Sequence, residues 1–246
     1  MVVGLKEFNH AWYDYDYFAN PRGKTFKMHD GTLQQWGYRN PSGDFLGAKE
    51  IAEAWQTMFH PQGLLEFGAG RGTVIAYARD AGIAAEGFDY SAYATSDEGR
   101  FHRCRPEWLI CHDATTPWPY PDASFDLVVG LDIMEHIYEE DVVAVIREMY
   151  RVARKYVFLE IATVDGVKEV GYKLNRGSRI PLDEDGRTWA GHVYVTTERE
   201  WMDRLEHDEW WRRRDLENWF ISLVPKEVIK NWLLNSVIIL SKVGAD

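Results

Sequence analysis

Cysteine is scarce here: Cys104 and Cys111 are the two in 246 residues. Their spacing forms neither a disulfide framework nor a C-x-x-C metal site, which excludes a stapled, disulfide-dense scaffold. Long apolar runs are also missing. No stretch approaches the ~20 residues that span a bilayer, and MVVGLKEFNH lacks the basic-then-apolar order of a secretory signal. Clustered positive charge is the third absence. There are 28 basic against 39 acidic side chains, a formal net charge of -11, with the basic residues scattered apart from the short run Arg212-Arg213-Arg214. Sequence-independent nucleic-acid binding needs clustered Lys and Arg. The expectation is a cytoplasmic protein with no nucleic-acid and no membrane partner.

What is present is enough apolar material, 46% of residues, for one large domain with a full core. Residues 1–45 concentrate Trp12, Tyr13, Tyr15, Tyr17, Trp36 and Tyr38. They are too aromatic for a solvated tail and read as an N-terminal cap of irregular structure with a short helix. The main domain is expected over 46–246. Residues 47–60 show helical spacing in Ile51, Ala54, Trp55 and Met58. Strands are expected at 64–67, 84–89, within 106–113, at 125–133 and at 156–162, with helices at 72–82 and 139–155. This alternation predicts an α/β fold, a doubly wound and mostly parallel sheet with helices on both faces. Residues 163–197 break the rhythm with glycines and charges, and a connection of that length is usually functional. Thr197 with Glu200 forms a capping box ahead of a helix over 197–205. SVIILSKV (236–243) is a last strand, with the segment around 210–223 as its neighbour.

The stretch LLEFGAGRGTV (64–74) carries three glycines at alternate positions. A dinucleotide fingerprint needs G-x-G-x-x-G, one residue longer. A triphosphate loop ends in Gly-Lys-Ser/Thr, and here Gly72-Thr73 lacks the lysine. Glu66, two residues before the first glycine, suits an ammonium group better than a phosphate. Asp89 closes the next strand, where a carboxylate can accept both hydroxyls of a ribose. Taken singly, the glycines could mark any tight turn, Asp89 a helix cap and Asp113 a turn.

Together these residues resemble the class I S-adenosylmethionine-dependent methyltransferases, a Rossmann-like fold. Glu66-Phe67-Gly68-Ala69-Gly70-Arg71-Gly72 is similar to the family's E/D-x-G-x-G-x-G motif. Gly87-Phe88-Asp89-Tyr90-Ser91 resembles G-x-D-x-S, and His112-Asp113-Ala114 the loop that meets the adenine. Ser124-Phe125-Asp126 and the D-x-x-E-H-I run Asp132 to Ile137 complete the series over roughly residues 50–162. The resemblance implies an antiparallel C-terminal strand and S-adenosylmethionine as cofactor. It implies contacts from Glu66, Gly68, Ala69, Gly70, Gly72, Asp89, Tyr90, Asp113, Ala114, Leu131 and Asp132.

Methyl transfer from a sulfonium is an in-line displacement, accelerated chiefly by positioning. A hydroxyl acceptor also gains from a base, and His136 and His192 are the candidates. Some methyltransferases resembling this pattern hold a divalent metal with E-x-x-E-H and a later His. Asp132 departs from that set, and the expectation is no metal. The expected reaction is methylation of a small molecule or glycan intermediate at oxygen, with residues 1–45 and 163–197 closing over the acceptor. The alternatives are a metal-assisted O-methyltransferase, a binding subunit that keeps the fold without activity, and an NAD-dependent oxidoreductase.

Overall fold

The computed structural model describes residues 10–27, 33–163, 194, 196–206, 210–228 and 236–244. At the N-terminus Asp14 caps a one-turn helix, α1 (Tyr15–Phe18), by accepting the Tyr17 amide at 3.2 Å. A short antiparallel pair follows, β1 (Lys24–Lys27) and β2 (Leu33–Trp36). The helix was expected; the strand pair was not, because its four-residue strands are too short for a periodic signal.

The main domain begins with α2 (Ala48–Phe59), then β3 (Gly63–Phe67), α3 (Thr73–Asp80), β4 (Ala84–Asp89), α4 (Ala92–Thr95) and β5 (Leu109–Cys111). It continues with β6 (Phe125–Leu131), α5 (Val142–Val152), β7 (Ala153–Ile161), α6 (Glu198–Glu206), β8 (Trp211–Arg213), α7 (Glu217–Leu223) and β9 (Ser236–Lys242). Seven strands form one sheet in the order β5-β4-β3-β6-β7-β9-β8. The β3–β4, β3–β6, β4–β5 and β6–β7 pairings are parallel, and β9 runs antiparallel to both β7 and β8. Only β9 is therefore reversed, as expected of the C-terminal strand. Period-two alternation sends Leu64, Leu127, Val129, Phe158 and Ile239 into a core with α2, α3 and α7. Leu65, Phe67, Val128, Val157 and Leu159 enter the opposite core with α5 and α6. Two apolar layers on one sheet make the doubly wound architecture.

Two boundaries differ from expectation. The 139–155 helix starts as a 3-10 turn at Glu139–Asp141 and ends at Val152. Arg154 and Lys155 belong to β7 instead, because there they hold Asp126 at 3.0 and 3.5 Å. Only Trp211–Arg213 pairs with β9; residues 217–223 are helical. The capping box is present. The Glu200 amide donates to Thr197 Oγ1 at 3.1 Å and the Thr197 amide to Glu200 Oε2 at 3.2 Å.

Asp126 opens β6 at the end of the sheet remote from the glycine loop and is buried. Burial pushes its carboxyl up, but the Gln62 amide at 2.8 Å and the charges of Lys155 and Arg154 outweigh that and hold it below its ordinary value. A depressed folded value means the unfolded chain takes the proton first. The stabilisation is thus fully present above about pH 4 and is lost as pH falls through the folded value. Asp126→Asn should cost about 1–2 kcal/mol at pH 7, discounted for the half-exposed cations. Urea melts should show that difference shrinking below about pH 4.

Candidate active site

The chain leaves β3 through Gly68, Gly70 and Gly72, at φ of 69°, 52° and 77°. Left-handed backbone at three alternate positions favours glycine. A Cβ at Gly68 would lie 2.6 Å from the Ile133 side chain, so space as well as conformation requires glycine there. The Ala69 amide donates to the Phe88 carbonyl at 3.0 Å, tying the loop to the end of β4. Because β3 pairs with β4 on one side and β6 on the other, a crevice opens beyond the strand ends, where α/β folds bind ligands. A cavity of about 300 Å³ occupies it.

Asp89, at the end of β4, lines the cavity. Its Oδ2 accepts the Gly70 amide at 2.7 Å and its Oδ1 the Ser91 amide at 2.8 Å. Each oxygen of the ionised carboxylate keeps a second lone pair. Burial pushes its pKa up, and the two amides pull back, leaving it at about 6. Ser91 Oγ accepts the Ala94 amide at 3.0 Å, capping α4, and donates to the Tyr13 carbonyl. Beyond β5, Asp113 Oδ1 accepts the amide and hydroxyl of Thr115, both at 2.8 Å.

The opposite wall follows β6. Leu131 and Asp132 line it, Asp132 with a φ of 50°. A 3-10 turn, Met134–His136, comes next. Glu135 is fully buried, with Oε1 accepting the Ala162 amide at 3.1 Å. Burial first, then the neighbouring Asp132, pushes its carboxyl well up. His136 lines the cavity, with Nδ1 3.1 Å from the Tyr13 hydroxyl oxygen.

The third wall is N-terminal: Tyr13, Tyr17, Phe18 and Tyr38. Tyr38 stacks on Phe18 at 5.7 Å. Two side chains just past the loop's glycines clamp this segment. Arg71 Nη1 donates to the Asn40 carbonyl at 2.7 Å and to the Pro41 carbonyl at 3.3 Å. Thr73 Oγ1 donates to the Gly43 carbonyl.

Of the residues singled out in the sequence, the structure brings Gly68, Gly70, Asp89, Tyr90, Asp113, Ala114, Leu131, Asp132 and His136 to the lining of one cavity. Ala69 and Gly72 shape the turn from outside it. Glu66 is not brought to the cavity. It shares the face of Leu64, points into the α2–α3 layer, and is 3% exposed. Its Oε2 has no hydrogen-bond partner among the described residues, and burial pushes its carboxyl well up. His192 and most of 163–197 lie outside the described residues, as does that half of the expected acceptor pocket. Among the described residues, no three His, Cys, Asp or Glu side chains are grouped to hold a metal ion. No described helix is long and apolar enough to cross a membrane.

Sequence reading missed the Arg71 and Thr73 clamp and the Tyr13–His136 pair. The aromatic run around Tyr13 was the available signal for the second; the first had none. Among the described residues the lining includes four aspartates, Asp89, Asp113, Asp132 and Asp141, and no Lys or Arg. Such a wall attracts a cationic ligand and repels phosphate.

Residues 65–159 match a family model described as a methyltransferase domain. Solved structures share the fold at low identity. The TehB-like SAM-dependent methyltransferase of Corynebacterium glutamicum is 16% identical, over 78% of this chain and 87% of that one, with a TM-score of 0.52. The YcgJ protein of Bacillus subtilis is 17% identical, over 79% and 97%, with a TM-score of 0.51. The plantazolicin methyltransferase BpumL, solved with a pentazolic desmethylPZN analog and SAH, is 14% identical over 79% and 82%, with a TM-score of 0.53. No curated protein matches the sequence.

Proposed function

We propose that this chain, whose residues 65–159 match a methyltransferase-domain model, transfers a methyl group from S-adenosylmethionine to a neutral small molecule or glycan intermediate at oxygen. The observation that carries the reading is the lining of one cavity. Among the described residues it joins Asp89, with a lone pair left on each oxygen, to His136, and includes no Lys or Arg. A diol-bearing cation fits those donors and acceptors; a pyrophosphate does not.

In this reading Asp89 accepts the ribose hydroxyls, and Asp113, Ala114 and Phe88 border the adenine. Gly68 and Gly70 line the cavity without side chains and let the ligand approach the backbone. The ammonium end lies toward Leu131 and Asp132. When bound, S-adenosylmethionine supplies an electrophilic methyl whose sulfur departs neutral. The chain's own part is to hold the acceptor in line, exclude water and take the acceptor's proton at His136. Residues 1–45 serve as the cap and 46–246 as the catalytic domain. The acidic wall disfavours acceptors that carry phosphate or carboxylate near the reacting hydroxyl.

Calorimetric titration tests the cofactor. S-adenosylhomocysteine should bind and NAD should not; NAD binding alone would restore the oxidoreductase. A screen of neutral hydroxylated acceptors for methyl incorporation then separates an enzyme from a binding subunit, for which no acceptor turns over.

A further inference from the structure

We propose that Tyr13, carried by the N-terminal segment, is a positioning residue for methyl transfer: its hydroxyl oxygen accepts the Nδ1 proton of His136 and leaves Nε2 as the basic nitrogen. The inference rests on the reading of His136 as the base and adds what sets that base. Tyr13 Oη lies 3.1 Å from His136 Nδ1, and the two rings meet edge to face with centroids 5.9 Å apart. The hydroxyl is not placed there by chance rotation of a surface side chain. Tyr13 packs against the Trp12 ring at 5.0 Å and the Tyr17 ring at 5.1 Å. Its carbonyl accepts from Ser91 Oγ, two residues beyond Asp89. The β4–α4 junction therefore fixes the Asp89 carboxylate and the Tyr13 backbone together.

A neutral imidazole has one N–H and one bare nitrogen, and the partner of one decides the other. Two directions are open to the Tyr13–His136 bond. If the phenol donated to Nδ1, Nε2 would carry the proton and could not act as a base. If Nδ1–H donates to the phenol oxygen, Nε2 is bare. This second arrangement also survives the reaction unchanged, because an imidazolium must donate from Nδ1. Such a bond is in place before charge develops, which is the condition for electrostatic preorganisation. The groups facing Tyr13 are Tyr17 from α1, Asp89 from β4, and Glu135 and Tyr138 from the turn after β6. Burial and these neighbours push the phenol well above its ordinary value, so it stays neutral and serves as a hydrogen-bond partner, not as a competing base.

The step balances. The acceptor oxygen forms its bond to the methyl carbon as the carbon–sulfur bond breaks with its electron pair on sulfur. The acceptor's proton goes to Nε2, and the imidazolium returns it to solvent after product leaves.

The test is nitrogen NMR of histidine-labelled protein, with and without S-adenosylhomocysteine, His136 being assigned by the signal lost in His136→Asn. Wild-type His136 should be protonated at Nδ1. In Tyr13→Phe, which keeps the ring, His136 should shift to the Nε2-protonated form. Its titration midpoint should fall by roughly 0.5–1 pH unit, since a charged donor gains more from a hydrogen bond than a neutral one. Nε2 protonation in the wild type, or an unchanged His136 in Tyr13→Phe, overturns the proposal. Calorimetry on the same samples keeps the two readings apart. A wild type that does not bind S-adenosylhomocysteine sinks the methyltransferase reading, while the ligand-free spectra still decide the role of Tyr13.

Discussion

Replacing His136 with asparagine is expected to lower kcat by about 10²–10⁴-fold, the range a positioned general base contributes. The affinity for S-adenosylhomocysteine should stay within a few-fold of wild type. The two effects separate because the glycine loop and Asp89, proposed to hold the ribose, sit across the cavity from His136. Gly70 and Asp89 are bonded to each other at 2.7 Å without help from the β6 turn. His136 ends that turn, and the turn is anchored independently through Glu135 Oε1 and the Ala162 amide at 3.1 Å. A variant at His136 therefore leaves the Asp89 and Glu135 anchors standing and removes the proton acceptor together with the imidazole partner of Tyr13. What survives is the acceleration from holding acceptor and methyl in line, which is large in its own right. Steady-state kinetics on an acceptor found by the screen, paired with calorimetry, reads both quantities. A kcat within threefold of wild type would remove His136 from the chemistry.

Asp89→Ala is expected to weaken S-adenosylhomocysteine by roughly ten- to hundredfold, the equivalent of about 1.5–3 kcal/mol for hydrogen bonds to a charged group. The structure favours the upper end. Besides any ligand, Asp89 accepts the Gly70 and Ser91 amides, and alanine leaves both without that acceptor. The glycine loop and the start of α4 then loosen together. A pH effect accompanies the substitution. Burial raises Asp89 to about 6 in the ligand-free protein, so the carboxylate that accepts ribose hydroxyls is lost as pH falls through that value. Affinity should drop about tenfold per pH unit below it. Stability runs the other way. A folded value raised above the unfolded one means the folded chain takes the proton first. Its contribution to stability therefore grows as pH falls from about 6 toward about 4. Glu66 and Glu135, also pushed up by burial, add to the folding trend, so Asp89→Ala should remove the binding trend and only lessen the folding one. An affinity that stays flat between pH 7.5 and 5 in the wild type would contradict the assignment.

The central strands, β3, β4, β6 and β7, were legible in the sequence because each is a continuous apolar run bounded by turn residues. Burial on both faces leaves no other pattern for a parallel sheet. The glycine loop was legible for a related reason. Three left-handed positions at alternate residues exclude other side chains, so the chemistry of the turn is written in its composition. Asp89 and His136 followed from strand ends, since a residue closing a parallel strand stands at the crevice wherever the neighbouring strands lie.

Other decisions needed the folded chain. Glu66 stands two residues before the first glycine, and period two places it on the face of Leu64, buried and outside the cavity lining. Arg71 occupies a position the motif leaves free, and its use as a clamp on Asn40 and Pro41 exists only once residues 40–43 lie against the loop. Tyr13 and His136 are 123 positions apart, and no local pattern relates them. The sequence by itself determined the elements, the loop and the strand-end residues, because periodicity and turn chemistry act over a few neighbours. Which side chains meet across the cavity was decided by the sheet order and the docking of the N-terminal segment. Those contacts arise from packing between distant stretches, and a distant contact leaves no mark on the spacing of either one.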